Sequence, residues 1–166
     1  LYINSDISIN PLISGGGQER NMRAGTENVY GIAGLSKAMD ISYRNLSQHR
    51  AHIESLKLHM IRGLKDNIPG VEFNGESENL QNSLYTVLNV LFPKTEIGEM
   101  LFYNLDILGI ASSAGSACSS GSNLGSHVLK AIGCDMSRPS LRFSFSKYNT
   151  AEEIDYTVNQ LKSFFI

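Results

Sequence analysis

The chain has 166 residues, of which 42% are hydrophobic and 18% are charged, and its formal net charge is −2 at neutral pH. This composition is typical of a globular domain with a core and excludes a disordered chain. Without a basic stripe, an apolar run of membrane-spanning length or a signal-peptide pattern, we expect neither direct nucleic-acid binding nor membrane association. The only cysteines, Cys118 and Cys134, lack the number for a disulfide framework and the spacing for a zinc site. We therefore expect no metal, and a cytoplasmic location.

The N-terminal third is predicted to contain a strand, a polar loop and a long helix. The sequence opens without methionine, and residues 1–3 resemble a strand already under way, so we expect a piece of a larger protein. Three consecutive glycines and two arginines make residues 11–28 a polar loop. A helix is predicted over residues 28–67, and Pro69-Gly70 would end it. Its buried stripe has apolar residues near the helical period, namely Leu46, Ile53, Leu56, Met60 and Leu64.

The middle of the chain is predicted to alternate strands and short helices. Strands are expected over residues 71–74, 83–92 and 109–112. The second of these would place four apolar side chains on one face: Leu84, Leu88, Val90 and Phe92. Thr95 is predicted to cap a helix whose buried side is formed by Ile97, Met100, Leu101, Leu105 and Leu108. Ser126 is predicted to cap a brief helix that Gly133 ends.

The C-terminal part carries the clearest patterns. Residues 140–146 alternate between apolar and polar side chains, as expected of a strand with one buried face. Thr150 and Glu153 form a capping-box pattern at the start of the last helix. The order of the elements predicts an α+β sandwich, with a small, mostly antiparallel sheet and helices packed on one face.

Cys118 lies in a run of small residues, SSAGSACSSGS, at residues 112–122. Most free cysteines are buried and structural, and Cys134 is interpreted in that way or as an exposed bystander. The neighbours of Cys118 offer no apolar pocket, which favours an accessible, reactive thiol on a loop.

Two further residues have both a plain and a chemical interpretation. Arg142, within a strand, either points to solvent or holds a carboxylate through its guanidinium fork. Thr26 ends the glycine-rich loop GGGQERNMRAGTEN just before a helix. That loop is either plain surface or a cradle for phosphate, although it matches neither the dinucleotide fingerprint nor the P-loop.

Three stretches together resemble the cysteine desulfurases, pyridoxal-phosphate enzymes of the class V aminotransferase superfamily. They are GGGQERNMRAGTENV, SAGSACSSGS with the following SHVLKAIG, and RPSLRFSFSKYNTAEEIDYTV, and they occur in the family's order. The chain departs from the family at Leu124-Gly125, where relatives often carry Glu-Pro. The resemblance implies the small domain of a fold-type I enzyme over residues 31–166, preceded at residues 1–30 by the tail of its large domain.

The resemblance also implies roles for the three candidate residues. Cys118 would attack the sulfur of L-cysteine, leaving L-alanine and a persulfide, while Arg142 would hold the substrate carboxylate. Thr26 would reach the phosphate of pyridoxal 5'-phosphate in the partner subunit of a homodimer. The sulfur would pass to an acceptor such as an iron–sulfur scaffold or a thiolation protein.

The lysine that forms the Schiff base with the cofactor in this family is expected outside this chain. None of the seven lysines occurs in the family's His-Lys motif. The chain alone should therefore be inactive. Two alternatives stay open: a non-catalytic module that carries sulfur or binds the acceptor, and part of a selenocysteine lyase.

Overall fold

The computed structural model describes residues 2–114 and 126–165, which form two compact units, Leu1–Asn45 and Leu46–Ile166. The division falls fifteen residues after the domain boundary predicted at residue 30, since 45 − 30 = 15. Which part of a larger enzyme each unit belongs to stays a prediction.

The first unit contains a hairpin and a helix. Strand β1 (Gly17–Gln18) pairs antiparallel with β2 (Arg23–Ala24), and the intervening Glu19–Asn21 turn has three successive positive φ angles of 45°, 56° and 65°. Helix α1 (Val29–Arg44) begins after Asn28, whose side chain accepts a hydrogen bond from the Gly31 N–H at 3.0 Å. None of the residues of α1 is buried.

Two predictions for this region are corrected. Residues 2 and 3 are not in a strand, because the described part of this unit offers them no second strand with which to share a ladder. The single helix predicted over residues 28–67 is two helices, since Asn45 leaves the helical conformation at φ −109° and ψ 10°. The second, α2 (Leu46–Asn67), begins immediately after it.

The second unit is an α+β sandwich, which confirms the predicted fold class. Its sheet has the order β3 (Glu72–Phe73), β4 (Val87–Leu91) and β5 (Ser140–Ser144), with both pairs antiparallel. Besides α2, the unit contains the helices α3 (Leu101–Ile107), α4 (His127–Ala131) and α5 (Ala151–Lys162).

The core lies between one face of this sheet and the helices α2, α3 and α5. The cluster contains side chains from β4 and β5, including Leu88, Val90, Leu141 and Phe143, packed with Met60, Leu64, Leu101, Val158 and Leu161 from the helices. Gly63 allows α2 to approach α5, since a Cβ at this position would lie 3.0 Å from a methyl carbon of Val158. The alternation predicted for β5 is confirmed: Leu141 and Phe143 are buried, whereas Arg142 and Ser144 are exposed.

Local capping signals were predicted well, but helix and strand starts between residues 83 and 113 were not. Ser126 caps α4, Gly133 follows it with φ +76°, and Thr150 with Glu153 forms the capping box of α5. Thr95 caps no helix, because a 3-10 turn (Gly98–Met100) precedes α3. Four smaller corrections follow: Leu46 is 46% exposed, Leu84 is 70% exposed, Met100 is 53% exposed, and residues 109–112 form no strand.

Candidate functional site

Arg142 occupies the middle of β5, where it is bonded through its backbone on one side and flanked by β4 on the other. Its N–H donates to the Ser113 carbonyl at 2.8 Å, and the Ser113 N–H donates to the Arg142 carbonyl at 3.0 Å. On the other side it lies directly opposite Asn89 of β4. Both backbone hydrogen bonds of Arg142 therefore go to Ser113, and β4 flanks it on the other side, which fixes the point from which its side chain rises.

The Arg142 side chain rises from the face of the sheet opposite the core. Its neighbours in sequence, Leu141 and Phe143, are 2% and 5% exposed, while Arg142 itself is exposed. Among the described residues, its guanidinium has no hydrogen-bond or ion-pair partner. A planar cation with unused donors on a rigid strand can bind a carboxylate through two parallel hydrogen bonds.

Cys118 lies outside the described residues, but the segment that carries it begins and ends at described positions. At its start, Ser113 is the residue bonded to Arg142. At its end, Ser126 is 8% exposed, and its side chain accepts from the Leu129 N–H at the start of α4. Next to Ser113, the Ser112 hydroxyl is buried and has no hydrogen-bond partner among the residues that the structure describes. The root of the cysteine segment therefore lies beside the candidate carboxylate site.

Cys134, the second cysteine, follows α4 and is a half-buried free thiol. Its N–H donates to the Leu129 carbonyl at 3.0 Å and so helps to end that helix. This position agrees with its interpretation as a structural residue or a bystander.

A polar network lies on the same face of the sheet as Arg142. Asn74, which is 7% exposed, donates through its side-chain nitrogen to Asn89 Oδ1 at 2.9 Å and to Ser140 Oγ at 3.0 Å. The Asn74 N–H also donates to the Asn89 carbonyl at 3.0 Å, and Ser77 Oγ donates to that carbonyl at 3.0 Å. The residue opposite Arg142 is therefore fixed in both its backbone and its side chain.

The glycine-rich loop of the first unit is a close-packed turn that ends at an exposed Thr26. A Cβ at Gly15 would lie 3.0 Å from the Gly25 backbone nitrogen, and Gly25 itself has φ +83°, so both positions require glycine. The Arg23 side chain donates to the carbonyls of Gly25 and Thr26 at 2.9 and 2.8 Å, and these two bonds stabilise the turn. Thr26 and Arg142 belong to different units.

The described residues fit the phosphate end of pyridoxal phosphate but not its Schiff-base end. The tight glycine turn, the exposed Thr26 hydroxyl and the nearby start of α1 are the type of donors that bind phosphate. Lys57 is fully buried and donates to Ser83 Oγ and the Leu84 carbonyl, both at 2.9 Å, so it is not free to bind an aldehyde. Burial lowers the pKa of Lys57. The other six lysines are exposed.

In the part of the chain that the structure covers, no cluster of three or more histidine, cysteine or acidic side chains could hold a metal ion. Over the same residues, no helix combines the length and apolar character needed to cross a bilayer.

Sequence reasoning missed two residues that organise this unit. Arg138 is 15% exposed at its side chain, pairs with Glu72, and donates to the carbonyls of Phe92 at 2.9 Å and Gly70 at 2.7 Å. Asn74, described above, was also missed. Their partners are distant in sequence, so no local pattern marks them. A polar residue next to Pro139, and an asparagine ending a strand, are the only signals that the sequence offers.

Comparison with known proteins gives consistent results. Residues 5–157 match the family model of aminotransferase class-V. The cysteine desulfurase IscS of Clostridium botulinum is 42% identical over 163 residues, which are 97% of this chain and 41% of that protein. The solved structure of a NifS-like protein is 36% identical, with a TM-score of 0.74, and the match covers 98% of this chain and 40% of the NifS-like chain. A NifS-like protein from Rickettsia africae is 29% identical, with a TM-score of 0.75, over 97% and 41% of the two chains.

The match of the family model over most of the chain defines the class: the chain belongs to the aminotransferase class-V family. Within that family it is similar to the cysteine desulfurases, whose fold it shares. The chain spans about 41% of the length of the curated relatives it matches.

Proposed function

We propose that this chain is part of a cytoplasmic cysteine desulfurase that converts L-cysteine to L-alanine and carries the released sulfur as a persulfide on Cys118. The observation that supports it best is the backbone pairing of Ser113 with Arg142. Cys118 comes five positions after Ser113, and such a stretch reaches at most about 18 Å. A thiol on this segment is therefore tethered near a guanidinium that is free to bind the carboxylate of an amino acid.

Each candidate residue has a distinct task. Arg142 binds the substrate carboxylate and so orients the side-chain sulfur. The thiolate of Cys118 attacks that sulfur: an S–S bond forms as the substrate Cβ–S bond breaks, and the electron pair of the broken bond returns to the substrate carbon, which is protonated and leaves as L-alanine. Thr26 would donate a hydrogen bond from its hydroxyl to the phosphate of pyridoxal phosphate in the partner subunit of a homodimer. When bound, pyridoxal phosphate supplies the electron sink for the amino acid.

The persulfide then passes its outer sulfur to the thiol of an acceptor, such as an iron–sulfur scaffold or a thiolation protein, and Cys118 returns to its thiol form. Because a Schiff-base lysine is missing from this chain, we expect the 166-residue chain alone to release no alanine from cysteine.

The test compares Cys118→Ser with Cys134→Ser in the full-length enzyme. After incubation with L-cysteine, Cys118→Ser should form no persulfide while its cofactor absorbance is unchanged, because only the nucleophile is lost. Cys134→Ser is the matched control and should form persulfide normally. Persulfide in Cys118→Ser, together with its loss in Cys134→Ser, would refute the assignment.

A second comparison separates the remaining candidates. A selenocysteine lyase would release alanine from L-selenocysteine and not from L-cysteine. A sulfur-carrier module would accept sulfur from another protein's persulfide, and its full-length form would release no alanine from either substrate. Alanine release from L-cysteine by the full-length enzyme would exclude both.

A further inference from the structure

Asn89, the residue opposite Arg142, can act either as a hydrogen-bond donor or as an acceptor toward it. The inference drawn from this rests on the proposed function. An asparagine amide has an acceptor oxygen at one corner and a donor nitrogen at the other, and it can turn to present either. Were the oxygen of Asn89 to face Arg142, it would accept a hydrogen bond from the guanidinium and occupy it before any substrate arrived.

The backbone pattern shows how close the two side chains are. Arg142 exchanges both backbone hydrogen bonds with Ser113, and the Asn89 carbonyl is bonded to Asn74 and Ser77 on the opposite side. Asn89 and Arg142 are therefore a non-hydrogen-bonded antiparallel pair. In such a pair the Cα atoms are about 4.5 Å apart, and the two side chains share one face at the shortest cross-strand separation.

Despite this closeness, Asn89 does not bind the guanidinium. Its Oδ1 accepts from the side-chain nitrogen of Asn74 at 2.9 Å, and that nitrogen also donates to Ser140 Oγ at 3.0 Å. Asn74 is 7% exposed, and its side-chain nitrogen is bonded to both Asn89 and Ser140, so a turn of Asn89 would set the side-chain nitrogens of Asn74 and Asn89 against each other. Turning Asn89 would leave a buried donor of Asn74 unpaired, which is costly.

We propose that Asn74 is a positioning residue: by holding the amide oxygen of Asn89, it keeps Arg142 free for the substrate carboxylate. Asn74 acts through Asn89 and does not itself touch the substrate. Its loss should therefore weaken substrate binding and leave the chemical step unaffected.

The experiment measures KM and kcat for L-cysteine in the full-length enzyme. Asn74→Ala should raise KM about five- to tenfold with kcat within twofold, since a neutral acceptor now competes for the guanidinium. The double variant Asn74→Ala with Asn89→Ala should have a lower KM than Asn74→Ala, because the competing oxygen is gone. The matched control, Ser77→Ala, removes two contacts, both to the backbone of Asn89, and leaves the bond between the Asn74 and Asn89 side chains in place, so KM should stay within twofold.

A second pair keeps the proposal testable if Asn74→Ala does not fold. Asn89→Asp presents an acceptor to Arg142 whichever way it turns, and should raise KM about a hundredfold, whereas Asn89→Ala should raise it far less. Thermal unfolding of each variant reports any loss of structure.

Three results would overturn the positioning role of Asn74. These are a double variant with a KM as high as that of Asn74→Ala, equal effects of Asn89→Ala and Asn89→Asp, and a fall in kcat that follows thermal stability. Arg142→Ala distinguishes the two levels of the argument. If Arg142→Ala raises KM and the Asn74 variants do not, only the positioning role of Asn74 is refuted. If Arg142→Ala leaves KM unchanged, the substrate-binding role of Arg142 is refuted, and the positioning role of Asn74 with it.

Discussion

Replacing Arg138 with methionine should destabilise the second unit by about 2–4 kcal/mol. Methionine keeps an apolar stem of similar length, so the change removes mainly the donors. Two donors are lost to the carbonyls of Phe92 and Gly70, at 2.9 and 2.7 Å. Each hydrogen bond from a charged group contributes about 1.5–3 kcal/mol, and the sum is reduced because the two share one side chain. The ion pair with Glu72, which is 62% exposed, adds less than about 1 kcal/mol.

The assay is urea unfolding of the chain followed by circular dichroism, with the free energy of unfolding compared among three variants. Arg138→Lys keeps the charge but cannot reach two carbonyls from a planar fork, so it should recover about half of the loss. Glu72→Gln removes only the exposed ion pair and should cost less than about 1 kcal/mol. The reasoning fails if Arg138→Met is as stable as the wild type, or if Glu72→Gln is as damaging as Arg138→Met.

In the full-length enzyme, Arg142→Ala should raise KM for L-cysteine by the equivalent of about 2–4 kcal/mol. Arg142→Lys should recover only part of the lost substrate affinity, because a point charge does not replace a bidentate fork. Unchanged steady-state kinetics in both variants would mean that Arg142 is only a solvent-exposed residue of the strand. Lys57 gives a pH prediction. Burial lowers its pKa, so between that lowered value and the ordinary 10.5 the folded chain binds fewer protons than the unfolded chain, and stability should rise with pH. Urea unfolding at about pH 8 and about pH 10 should show this rise to be smaller in Lys57→Met; an equal rise in both proteins would contradict it.

The sequence predicted those features that depend on neighbouring residues. The alternation of β5 was visible because each inward side chain is apolar and each outward one is polar, and the capping box of α5 was visible because Thr150 and Glu153 are three residues apart. These are local signals, and tertiary contacts did not override them.

The errors occur where distant contacts decide the structure. Leu84 fits the apolar pattern of β4, yet the strand begins only at Val87. The loop before it is held by a hydrogen bond from Lys57 to the Leu84 carbonyl, and these two residues are 27 positions apart in sequence. The candidate site shows the same limit. Arg142 could be selected from the sequence as a candidate, but its pairing with Ser113 and the Asn74 contact to Asn89 depend on how three separate segments meet.

The one-residue alternation of β5 also restricts how this strand can change during evolution. Leu141 and Phe143 face the core, whereas Arg142 between them faces outward. Inserting or deleting a single residue before Leu141 would move the guanidinium into the core and both apolar side chains into water. Such a change would unfold the unit before it could alter substrate preference. Natural variation in β5 should therefore consist of substitutions, and insertions or deletions should be confined to the surrounding loops.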